Sequence, residues 1–163
     1  MLFRVILTSS APSQPELCQV VEPVHVMKVT VVPASTKTGQ AALEHLLSSN
    51  SPDLAVQGIY RDPRKIPDKF KENPAFEPRQ GGIASPETLD FSGSDVVISV
   101  TPPLAFSAND LVGEAKRLAE NVAEAVHRSG SVRRLIYVSS MGAQHEKGTV
   151  WQPPLHLPAY PAL

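Results

Sequence analysis

The 163-residue chain has a single cysteine, Cys18. A lone thiol makes neither an internal disulfide nor a multi-thiolate metal site, which fits a reducing compartment, so a cytoplasmic location is expected. Excess charge is lacking too: fifteen basic residues face sixteen acidic ones, for a formal net charge of −1. With no long run of one sign, neither a nucleic-acid surface nor a polybasic membrane anchor is indicated. The expected partner is a small molecule. No apolar run approaches the ~18 residues that span a bilayer, and the opening MLFRVILTSSAPS, with one arginine and a short apolar stretch, makes a poor signal peptide. The five histidines, His25, His45, His127, His145 and His156, have neither ligand spacing nor cysteine companions. No metal is expected.

What is present centres on VMKVTVVPASTKTGQAALEHLL, from Val26 to Leu47. Met27 to Val32 is rich in β-branched residues and reads as a strand, and Gly39 opens a segment whose Ala42, Leu43, Leu46 and Leu47 recur at helical spacing. The turn between them is Pro33 to Thr38. A short loop from a buried parallel strand into a helix start aims free backbone N–H groups at one point, which is where open α/β sheets hold nucleotide phosphates. Ser35, Thr36, Lys37 and Thr38 add hydroxyls and an ammonium suited to phosphate. A Ser/Thr-rich solvent loop is the other reading of the same residues.

Residues 1–25, with Pro12, Pro15 and Pro23, read as an irregular leader. Leu54 to Tyr60 is the second strand, and Pro63 follows it closely. A short helix is expected around Asp68 to Glu72, and a third strand near Phe76 to Ile83. Ser85 and Pro86 then form a cap and a first helical position. Asp95 to Val100, DVVISV, is a continuous apolar run of the kind buried on both faces of a parallel sheet, stopped by Thr101-Pro102-Pro103. Asn109 or Asp110 caps the longest helix, which runs to about Arg128 with Leu111, Ala115, Leu118, Ala119, Val122, Ala123 and Val126 on one stripe. Arg134 to Ser139 is the fifth strand. Strands alternating with helices argue an α/β fold with a parallel sheet and right-handed crossovers. From Val150 the pattern fails, leaving residues 150–163 as a proline-rich irregular tail.

In VTVVPASTKTGQAALEHLL, the YRDP after strand two, DVVISVTPP, VAEAVHRSG and RRLIYVSSMGA, the chain resembles the NmrA-like group of atypical short-chain dehydrogenase/reductases. The resemblance covers about Met27 to Thr149, the nucleotide-binding front half of that family. It implies a Rossmann-like doubly wound parallel sheet of about five strands, with domain limits at 26–149 and the C-terminal substrate region missing. It also implies NADP(H) as cofactor. The family's Gly-x-x-Gly-x-x-Gly spacing falls on Pro33, Thr36 and Gly39, so only the last glycine is kept. That glycine allows close helix-to-strand packing, while Pro33 removes an N–H and Thr36 adds bulk near the phosphates.

Arg61 ends strand two, where an acidic residue binds an adenosine ribose and an arginine pairs with a 2′-phosphate. This favours NADP over NAD, and Arg64 and Lys65 add charge that Asp62 partly opposes; a solvated basic turn is the alternative. Thr101 and Pro102 match the family's place for lining the ribose and nicotinamide side, although proline is equally a strand stop. Gly82 stands where relatives tend to have an acidic residue and receives no contact. Ser139 and Ser140 sit where short-chain reductases place an active-site serine, but the accompanying Tyr-x-x-x-Lys pair is absent.

Three functions therefore stand open. One is an NADPH-dependent reductase of a small organic substrate. A second is a non-catalytic NADP-sensing regulatory module, and a third is an inactive truncated family member. An open sheet edge makes a homodimer across that edge an expectation.

Overall fold

The structure, a computed structural model, describes residues 25–102 and 110–138. Five strands form one parallel sheet: β1 (Met27–Val32), β2 (Leu54–Tyr60), β3 (Phe76–Gln80), β4 (Val96–Val100) and β5 (Arg134–Val138). Their spatial order is β3-β2-β1-β4-β5, and every neighbouring pair is parallel. The chain winds outward in both directions from β1. The strand order therefore reverses between β1 and β4, which makes their carboxyl ends the topological switch point of the sheet. This is the doubly wound Rossmann-like α/β fold.

Among the described residues three α-helices, α1 (Lys37–Ser48), α2 (Asp68–Lys71) and α3 (Leu111–Ser129), cover the sheet. Successive strand residues point to opposite faces, and β1 shows the consequence. Val31 packs with Leu43, Leu47, Val56, Tyr60, Phe70 and Phe76 on the α1 side. Val32 packs with Ile59, Phe91, Val97, Leu118, Val122 and Val126 on the α3 side. Both faces being covered explains why β4, VVISV, is apolar at all but one position.

Of the α3 stripe, Ala115, Leu118, Val122 and Val126 are buried, with Ala125 joining them, while Ala119 and Ala123 are half-buried. Asp110, rather than Asn109, caps α3 by accepting the Gly113 N–H. Gly130 ends the helix in the left-handed region at φ 65°, which glycine adopts without steric cost.

Some local expectations are corrected. α1 begins at Lys37, not Gly39, because Thr36 caps it. The turn shrinks to Pro33–Thr36, and Lys37 and Thr38 belong to the first helical turn. β3 stops at Gln80, where Gly81 and Gly82 lead the chain out of the ladder. After it comes only a 3₁₀ turn, Pro86–Thr88. Ser85 makes no side-chain cap there; Thr88 Oγ1 instead accepts the Gly82 N–H and donates to the Ser85 carbonyl. Each shift is one of local hydrogen bonding, which periodicity does not read.

Candidate functional site

The loops leaving the carboxyl ends of the strands carry the candidate residues. At the end of β1, Thr36 has extended backbone (φ −72°, ψ 156°), and its Oγ1 accepts the Gly39 N–H at 3.0 Å while donating to the Pro33 carbonyl at 3.1 Å. Its one proton is thereby used, so toward a phosphate Thr36 brings bulk and no O–H. The cap satisfies the third helical N–H only. The first two, of Lys37 and Thr38, have no intrahelical acceptor, as at any helix start, and both residues are exposed. Ser35 is half-buried. Its carbonyl accepts from Gln40 Nε2 at 3.4 Å. No acidic residue lies in the first turn of α1, which leaves the positive end of the helix dipole uncompensated.

Gly39 is buried against the turn. A Cβ there would collide with the Pro33 carbonyl oxygen and come within 2.9 Å of Thr36 Oγ1 and 3.2 Å of Ala34 Cα. Only glycine lets helix and turn approach this closely. The peptide bond between Val32 and Pro33 is cis.

At the end of β2, Asp62 and Arg64 form a two-pronged ion pair, Nε to Oδ1 and Nη2 to Oδ2, both at 3.0 Å. The Arg64 backbone N–H also donates to Asp62 Oδ1. These bonds hold the Asp62 carboxyl below the usual carboxylate range. Arg64 is thus spent on Asp62, and the two cancel. Arg61 is exposed and has no ion pair among the described residues. Gly82, set aside in the sequence, lies beside it: a Cβ there would stand 3.9 Å from both Cβ and Cγ of Arg61. The Arg61 stem therefore runs beside Gly82 at ordinary contact distance.

At the end of β4, the half-buried Thr101 bonds through Oγ1 to Tyr137 Oη at 2.6 Å. Pro102 is half-buried beside it. Ser139 and Ser140 lie outside the described residues. The structure thus places Ser35, Thr36, Lys37, Thr38 and Gly39 in one turn, Arg61 on the neighbouring strand end, and Thr101 and Pro102 across the switch point, all at the same edge of the sheet. Gly82 and Tyr137 join that edge without having been singled out for it. Tyr137 carried no sequence signal for this place, which it owes to sharing a register position on β5 with Ser99 of β4. That register becomes visible only once the strands are paired. Among the described residues no cluster of three His, Cys, Asp or Glu side chains could hold a metal ion, and no helix is long and apolar enough to cross a membrane.

A family model described as NAD(P)H-binding matches residues 34–161. No curated protein sequence matches the chain. Among solved structures, it is similar to triphenylmethane reductase of Citrobacter sp., with 21% identity and a TM-score of 0.58 over 73% of this chain and 39% of that one. It is also similar to a short-chain dehydrogenase/reductase of Veillonella parvula in complex with NADP, with 19% identity and a TM-score of 0.57 over 72% of this chain and 49% of that one. A third is the yeast methylglyoxal/isovaleraldehyde reductase complexed with NADPH, with 22% identity and a TM-score of 0.56 over 70% of this chain and 37% of that one. The chain thus spans 37 to 49% of the length of these three structures, and at such identities the likeness is one of fold.

Proposed function

This chain belongs to the NAD(P)H-binding family, and on that premise we propose that it holds NADPH across the carboxyl edge of its sheet and serves as the nucleotide-binding part of an NmrA-like reductase of a small organic substrate. The observation that carries the choice of NADPH is Arg61. Arg61 is exposed at the end of β2 with no ion pair among the described residues, while the only acid of that turn, Asp62, is engaged by Arg64. An acidic residue would accept from a ribose hydroxyl there; a free guanidinium suits a 2′-phosphate in bidentate fashion.

The remaining groups fit the same ligand. Uncapped N–H groups of Lys37 and Thr38, the Lys37 ammonium and the Ser35 and Thr38 hydroxyls would meet the pyrophosphate. Thr101 and Pro102 would line the ribose and nicotinamide side. The nicotinamide supplies the hydride, and the protein supplies binding and orientation.

The test is a fluorescence titration with NADPH and with NADH, repeated on Arg61→Ala. NADPH should bind more tightly than NADH, and the substitution should remove most of the difference, about 10-fold or more for a lost charge-assisted pair. Equal affinities in the parent chain would refute the preference, and binding of neither would refute the cofactor reading.

A second reading, a cofactor-sensing module without turnover, is favoured by one observation: no tyrosine is followed four residues later by lysine. Consumption of NADPH in a carbonyl-substrate screen separates the two. We also propose self-association through β5, whose outer side has no strand partner among the described residues.

A further inference from the structure

Tyr137 and Thr101 are separated by 36 residues in sequence and meet at the mouth of the sheet. The meeting follows from register. Ser99 and Tyr137 are partners in the ladder between β4 and β5, and the long tyrosine side chain extends past Ser99 until its Oη reaches the hydroxyl of Thr101, just beyond the strand. The 2.6 Å separation is that of a good O–H···O bond. Two hydroxyls bonded to one another hold two protons and use one between them. The phenol is the stronger acid and the aliphatic hydroxyl the better acceptor, so Tyr137 is the natural donor. Thr101 then keeps an O–H without an acceptor among the described residues, polarised by the bond it accepts.

Neither residue is fully buried, and the pair lies beside the switch point rather than in the core. We infer that Tyr137 is a positioning residue, which orients the Thr101 hydroxyl as a donor to the ribose and nicotinamide half of the bound dinucleotide. The inference rests on the cofactor reading above and adds to it a residue outside the β1 and β2 turns that form the phosphate end.

Two ligands separate this role from a plain tie between β4 and β5. NADPH has both halves, whereas adenosine 2′,5′-bisphosphate has the adenine and 2′-phosphate half alone. The full chain and its Tyr137→Phe, Thr101→Val and doubly substituted variants are titrated with each, after thermal unfolding has shown that they fold. Each single substitution should weaken NADPH roughly 3- to 10-fold, the range expected for one hydrogen bond. The double variant should be no weaker than Thr101→Val, because the two act in series. Affinity for the bisphosphate should stay within about twofold.

Parallel losses for both ligands would make the pair a structural tie and overturn the inference, as would unchanged NADPH binding. If the parent chain binds the bisphosphate as tightly as NADPH, the nicotinamide half gains nothing and the inference fails while the 2′-phosphate site stands. If it binds neither, the cofactor reading itself falls.

Discussion

Tyr60 shows how one residue can be placed by packing at a cost. It ends β2 with its ring buried among Val31, Leu43, Phe70 and Phe76, and its Oη has no hydrogen-bond partner among the described residues. Burial pushes the phenol up to about 12. The folded chain therefore keeps the proton where the unfolded chain loses it. Stability from this group is intact below pH about 10 and is lost as pH rises through about 12, by roughly 2–3 kcal/mol for a shift of about two units. Tyr60→Phe should match the parent or exceed it by about 1 kcal/mol at pH 7, since an unsatisfied hydroxyl is removed. It should also abolish this part of the alkaline loss. Urea unfolding of both proteins from pH 7 to 11.5 checks this, and a Tyr60→Phe variant that lost more than 1 kcal/mol at pH 7 would mean that the hydroxyl has a partner after all.

At the scale of elements, α1 owes its start to Thr36. In the family pattern this position is a glycine, valued for its missing side chain, but here the side chain caps the helix and braces the turn through Pro33. Thr36→Ala should cost about 1 kcal/mol and Thr36→Ser should recover most of it, as read by denaturant midpoints. Helix α3 fastens a different element. Asn121 Nδ2 donates to the Ile83 carbonyl at 2.8 Å, and Arg128 Nη2 donates to the carbonyls of Pro86 and Leu89, both at 2.9 Å. These bonds hold the segment after β3, and with it Gly82 beside Arg61. A segment without a helix of its own is thus anchored by donors on the helix above it.

Over the molecule as a whole, the two sheet edges differ. β3 carries Glu77, Pro78 and Arg79, and proline and charge both discourage pairing of an edge. β5 carries Leu135 and Ile136, 37% and 44% exposed, with no such guard between Arg134 and Val138. Association through β5 is therefore the expected mode. Light scattering after size exclusion should show a dimer at micromolar concentration, and Ile136→Lys should convert it to monomer. A parent chain that is already monomeric would rule this out. Inside the sheet, a polar line crosses the α3 face: Ser94 Oγ meets Thr30 Oγ1, Thr30 bonds Gln57, and Gln57 reaches Glu77, which pairs with Lys28. Thr30, Gln57 and Ser94 are fully buried. The network meets the need for hydrogen bonds among buried polar groups and ties β1, β2 and β3 in one register.

The amino-acid order by itself determined the limits of β1 and β2, the buried stripe of α3 and the α/β class. Each follows from a period of 2 or 3.6 residues and from local breakers, which neighbours along the chain suffice to express. The tight packing of Gly39 was legible for the same reason, as was the basic end of β2. Arg64 is spent locally, on Asp62 two residues back, while tertiary structure alone decided that Arg61 lies beside Gly82. It also decided that Thr101 and Tyr137 meet, and that Gln57, polar in an apolar strand, finds Thr30 and Glu77. These pairings join residues 20 to 36 positions apart, which only the crossovers and the strand register bring together. Periodicity states which face a side chain takes, and the order of strands states what waits there.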